Sequence, residues 1–154
     1  MSIQARQQLV NHAHTVFRCD SQRSDFLDPN KTRTELIALL LELINKGHII
    51  LFTAVNSDHR DDGCGHSHHN GDASDVWLLV TPRDGDYCDA GSSQMIQFVK
   101  DIMASPWTYQ LGLAGSARIF ELIHAAGFQD FPTDTNRLFD DDREDHLHIG
   151  AQFK

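Results

Sequence analysis

The sequence predicts an α+β domain in which helices flank a small antiparallel sheet. Three observations carry that prediction. Apolar residues recur at helical spacing in separate stretches, short runs rich in β-branched and aromatic residues lie between them, and the last segment alternates polar with apolar positions. At 154 residues the chain has the usual size of one domain, and no repeat, Pro-rich linker or composition shift divides it. Residues 1–154 are therefore expected to form a single domain. A chain of this length buries enough surface to fold without disulfides or a structural metal, so any metal it holds is expected to be functional.

Taken in order, residues 3–17 place Leu9, Val10, Ala13, Val16 and Phe17 at helical spacing and predict a first amphipathic helix. Asp20 to Lys31 is polar and reads as a loop. Thr32-Arg33-Thr34-Glu35 has the order of a capping box ahead of an apolar run that ends at Lys46-Gly47, which predicts a helix over 33–46. His48–Val55 and Ala73–Thr81 are short, apolar and β-branched, and predict two strands. The segment between them, SDHRDDGCGHSHHNGD, is too polar and Gly-rich for a core element and makes a long loop of the kind that carries function. Thr81–Gly91 is turn-rich. A helix over 92–104, a short strand at Tyr109–Leu113, a helix over 116–126 closed by Gly127 and an acidic loop over 128–144 follow. In the final strand, Asp145–Phe153, His146, His148 and Gly150 alternate with Leu147, Ile149 and Ala151.

Composition removes several classes of function. Hydrophobic residues at 40% and charged residues at 23% exclude disordered, collagenous and membrane-spanning chains. The longest apolar run, Leu36 to Leu41, falls far short of the ~20 residues that cross a bilayer, so no membrane insertion is expected. Thirteen Lys and Arg against 22 Asp and Glu give a net charge of -9, which repels phosphate backbones and makes nucleic acid an unexpected partner. The start, MSIQARQQLVNHAH, has no basic stretch followed by an apolar one, so synthesis in the cytoplasm without a signal peptide is expected. Cys19, Cys64 and Cys88 are odd in number and lack CxxC spacing, so they specify neither a disulfide framework nor a zinc ribbon. Cys64 and Cys88 are the pair that oxidation would join.

Ten histidines are the outlying number. Catalytic zinc sites take three protein ligands from His, Asp and Glu and leave a fourth position open. In the long loop His66, His68 and His69 precede Asp75, which starts an otherwise apolar strand and, half-buried there, needs a partner or a metal. His146 and His148 are two apart, so on a strand they face the same side. One loop and two strands thus aim histidine and carboxylate side chains at one point. His59 with Asp58, Asp61 and Asp62 forms a second, acidic cluster that reads as a solvated loop, with a hard-cation site as the alternative. Trp77 and Trp107 read as core, and His12, His14, His48 and His124 are assigned no function.

The segment His66-Ser67-His68-His69-Asn70-Gly71-Asp72-Ala73-Ser74-Asp75 resembles the first motif of the LAS zinc peptidases, the group of lysostaphin, D-alanyl-D-alanine metallopeptidases and sonic hedgehog. That motif has the form S-x-H-x-x-G-x-A-x-D. With His68 as its histidine, Gly71, Ala73 and Asp75 fall at the family offsets, whereas neither His66 nor His69 gives that fit. The family's later H-x-H corresponds to His146-Leu147-His148. The resemblance covers about residues 48–80 and the last ten residues, and departs from the pattern at His66, where the family has serine. It implies that His68, Asp75 and His148 bind Zn2+, with the zinc site between the sheet and its loops. It further implies that His146 hydrogen-bonds near the attacking water or the substrate. Asp145, three residues before the last ligand, takes the place of the family's general base and proton donor, with Asp142 and Glu144 as competitors. Ser57 and Arg60 lie where some members hold a substrate carboxylate.

The function so implied is zinc-dependent hydrolysis of peptidoglycan peptides, as carboxypeptidase or endopeptidase, in the periplasm or cell wall after delivery by a holin or a secretion apparatus. Two alternatives stay open: a non-catalytic, hedgehog-like zinc-binding interaction domain, and a dipeptidase acting on small D-amino-acid peptides.

Overall fold

The computed structural model describes residues 3–55, 71, 73–83, 85–89, 91–114, 138–141 and 147–151. Over these residues the order is α1 (Ile3–Asn11), β1 (Thr15–Phe17), α2 (Asp20–Leu27), α3 (Thr34–Asn45), β2 (Ile49–Val55), β3 (Ala73–Leu79), α4 (Ser93–Ala104), β4 (Thr108–Ala114), β5 (Leu138–Asp141) and β6 (Leu147–Ala151). The fold is α+β, as the sequence predicts. One sheet with strand order β1-β2-β3-β6-β4-β5 holds all the strands among the described residues.

The inner pairs β2–β3, β3–β6 and β6–β4 are antiparallel, but the sheet as a whole is mixed, because β1 joins β2 and β5 joins β4 in parallel. Chain length explains the difference. The helices α2 and α3 lie between β1 and β2, and residues 115–137 separate β4 from β5, so the chain can return to the end it started from, which a tight hairpin cannot do.

Three segments depart from the sequence reading. The first helix ends at Asn11 rather than running to 17. Thr15 Oγ1 donates to the Leu9 carbonyl at 2.7 Å and the His14 amide to His12 Nδ1 at 3.0 Å, so the chain turns and Val16 and Phe17 pair with Leu51 and Phe52 as strand residues. The polar stretch from Asp20 contains α2, whose amphipathicity is hidden because its buried positions are Gln22 and Phe26, with Gln22 Oε1 accepting from the Cys19 amide at 3.1 Å. β5 falls within the acidic stretch taken as loop. The helix expected at 116–126 lies outside the described residues.

The α3 helix matches its prediction in extent, and Gly47, at φ +99°, supplies the left-handed residue that closes it. Its start differs, because Arg33 is the N-cap without a side-chain cap, and the Thr32 hydroxyl is engaged elsewhere. α4 begins as a capped helix, with Ser92 Oγ accepting from the Met95 amide at 3.2 Å.

Strand register divides the sheet into two faces, since paired residues share a face and successive residues alternate. Val76 pairs with Leu147, and Ser74 and Leu111 both pair with Ile149. This face, with Ile50, Phe52 and Leu78, joins Leu36, Leu40, Leu43 and Ile44 of α3 and Met95, Phe98 and Ile102 of α4 in the hydrophobic core. Phe52 also meets Phe17 and Phe26, at ring-centroid distances of 5.5 and 4.8 Å. The opposite face carries Leu51, Trp77, Asp75 and His148, all buried as well. Among the described residues no helix is long and apolar enough to cross a membrane.

Candidate metal centre

Asp75 lies on β3 and His148 on β6, 73 positions apart in sequence, and antiparallel register sets them directly opposite each other. Their side chains therefore project from the same face. His148 Nδ1 lies 3.2 Å from Asp75 Oδ1, and the residues are 1% and 4% exposed. A carboxylate so withdrawn from water is costly without compensation, and the imidazole provides part of it. The positions beside His148 on this face are Gly112, its partner on β4, and Gly150, two residues along β6, so bare backbone flanks the imidazole.

The third feature of the motif is Gly71, which has φ +77°. Its carbonyl accepts the Arg33 amide at 2.7 Å, and a Cβ at this position would stand 2.3 Å from the Lys31 carbonyl oxygen. Glycine is required here both by conformation and by close approach of two backbones. The segment leading into β3 is thereby pinned four residues before Asp75.

The separation within the pair is that of a hydrogen bond and can be set beside the edge of a metal site. In a tetrahedral zinc site with bonds of about 2.0–2.2 Å, two ligand atoms stand roughly 3.3–3.5 Å apart. The separation of 3.2 Å between Nδ1 and Oδ1 is close to that edge. Two of the three ligands implied by the resemblance, Asp75 and His148, are thus brought together by the sheet. His68, His146 and Asp145 lie outside the described residues, as do His66, His69, Asp142, Glu144, Ser57, Arg60 and the acidic cluster around His59. Among the described residues no group of three or more His, Cys, Asp or Glu side chains is arranged to hold a metal.

Other polar groups separate from this centre. His48 Nε2 meets Asp101 Oδ2 at 2.6 Å, and Gln97 Nε2 donates to the other carboxylate oxygen at 3.0 Å, a pairing that nothing in the sequence pattern announces. His48 precedes β2 at the opposite end of that strand from Ala54, the residue that pairs with Asp75, so the two His–Asp pairs are distinct. This second pair joins the start of β2 to α4. Cys88 is a buried free thiol that donates to Gln94 Oε1 at 3.4 Å. Burial, followed by the charge of Asp89, pushes its pKa up, which disfavours the nucleophilic thiolate. Cys64 lies outside the described residues.

No protein-family model matches the chain, and no curated protein sequence does.

Proposed function

We propose that the protein is a zinc peptidase that hydrolyses peptide bonds of bacterial peptidoglycan. The observation that carries the proposal is the buried Asp75–His148 pair, with 3.2 Å between its nearest nitrogen and oxygen, seated at two of the three ligand positions of a recognisable motif. His68 is the third ligand in this reading, three residues before the pinned Gly71. These residues would hold zinc, which would supply polarisation of the scissile carbonyl and a water made nucleophilic near neutral pH.

The remaining steps belong to the chain itself. Asp145 accepts a proton from the attacking water and returns it to the departing amine, and His146 donates a hydrogen bond that orients the substrate. The Leu51 and Trp77 side chains on the same face as Asp75 give the centre an apolar surround, which strengthens charge interactions made there.

The test is incubation of zinc-loaded protein with purified peptidoglycan, followed by mass spectrometry of the released and residual peptides. New peptide termini are expected with the wild type and absent with His148→Ala. A protein that holds zinc and yields no new termini overturns the peptidoglycan assignment.

A further inference from the structure

Strand β2 is irregular where it passes the Asp75–His148 pair. Phe52 pairs with Val76 and Ala54 with Asp75, so Thr53 is an extra residue, and Thr53 and Ala54 together stand opposite Asp75. Such a bulge breaks the ladder at one position and re-aims a side chain, and bulges gather beside active sites for that reason. Register gives its effect here. Leu51 pairs with Trp77 on the face that carries Asp75, Phe52 turns into the hydrophobic core, and alternation brings Thr53 back to the face of Leu51. The bulge thus adds a hydroxyl to the face that holds Asp75 and His148.

That hydroxyl, Thr53 Oγ1, is buried and has no hydrogen-bond partner. Buried hydroxyls are almost always bonded, because one without a partner costs free energy. Strand propensity does not account for the residue, since valine has the same shape, suits a strand as well and carries no such cost. Local rules are broken in this way chiefly at functional sites. An extra residue, an orphaned hydroxyl and a buried His–Asp pair therefore coincide at one place on the sheet.

We propose that Thr53 is a binding residue of the centre, whose hydroxyl donates a hydrogen bond to an oxygen of the group held beside Asp75 and His148, a carbonyl, carboxylate or hydroxamate oxygen. The proposal rests on the reading of Asp75 and His148 as metal ligands. Carbonyl chemistry at a metal gathers negative charge on oxygen, and a donor fixed in advance is what stabilises it. Thr53 is not itself a ligand in this assignment, because zinc takes thiolate, imidazole and carboxylate donors.

A matched pair of variants isolates the hydroxyl. Thr53→Val deletes it and keeps the branched shape, whereas Thr53→Ser keeps it. Three quantities are measured: the melting temperature of the metal-free protein, zinc affinity by competition against a chromophoric chelator, and the affinity of the zinc-loaded protein for acetohydroxamate by calorimetry. Thr53→Val is expected to melt at or above the wild-type temperature, since it loses no bond, and to bind zinc as the wild type does. Its acetohydroxamate affinity is expected to fall about 10-fold, the effect of losing a hydrogen bond to a charged oxygen, with Thr53→Ser close to wild type. Equal acetohydroxamate affinities for Thr53→Val and the wild type overturn the proposal. A melting temperature that falls in Thr53→Val and not in Thr53→Ser overturns it too, by giving the hydroxyl a structural role, and weaker zinc binding by Thr53→Val does so by assigning it to the metal. A wild type that binds no zinc is a different result, which removes the metal reading and the role of Thr53 with it.

Discussion

If the proposed site is correct, replacing His148 is expected to remove stoichiometric zinc from the protein and, with it, peptide hydrolysis. Alanine at this position takes away a buried ring nitrogen 3.2 Å from Asp75 Oδ1 and leaves at most two of the three proposed ligands. The substitution also withdraws the imidazole from a carboxylate that is 4% exposed, and removing one partner of a buried hydrogen bond typically costs about 1–3 kcal/mol. His148→Asn separates the two effects, because its amide can still donate to Asp75 while offering zinc no imidazole. Zinc content after dialysis, measured by elemental mass spectrometry, is expected to fall from about one ion per chain to near zero in both variants, with His148→Asn nearer to wild type in thermal stability. Retention of zinc by a folded His148→Asn would show that β6 does not supply a ligand.

Asp145→Ala is expected to give the opposite pattern, with zinc retained and turnover lost. A positioned general base contributes about 10²–10⁴-fold, so the rate of peptide release from peptidoglycan is expected to fall by that factor while zinc content stays at the wild-type value. Asp145 is singled out by its place three residues before His148. A variant with wild-type turnover contradicts the assignment and passes the role to Asp142 or Glu144, each tested by the same substitution. Loss of zinc together with activity would instead make Asp145 a ligand.

Much of this arrangement is legible in the sequence, for reasons that differ from element to element. The α3 helix, β2, β3 and α4 each carry their own signal, a dense apolar run or a strong periodicity, and the structure places them within a residue or two of where the pattern does. β1 and α2 were hidden because their signals conflict with the local pattern. Val16 and Phe17 fit a helical stripe as well as a strand, and the buried face of α2 includes the polar Gln22. Thr32 and Glu35 have the spacing of a capping box, yet Thr32 serves Arg6, a partner 26 positions away that no local rule can find.

The same distinction holds for the centre. Asp75 stands out because a carboxylate in an apolar strand requires compensation, and the motif offsets from His68 select it again. That Asp75 meets His148 depends on strand register across β3 and β6, which the sequence states only through resemblance and the sheet makes physical. Gly71 is readable as a motif glycine, but the reason for it, a backbone carbonyl where a Cβ would be, is visible only once the connection between α2 and α3 is folded against it.

Crystals of the zinc-loaded protein, with anomalous diffraction recorded on both sides of the zinc edge, test the central claim most directly. A single strong peak is expected within about 2.0–2.2 Å of a carboxylate oxygen of Asp75 and a ring nitrogen of His148, with His68 as the third protein ligand. A peak held by the histidines of the loop, with Asp75 and His148 still hydrogen-bonded to each other and remote from it, would contradict the account.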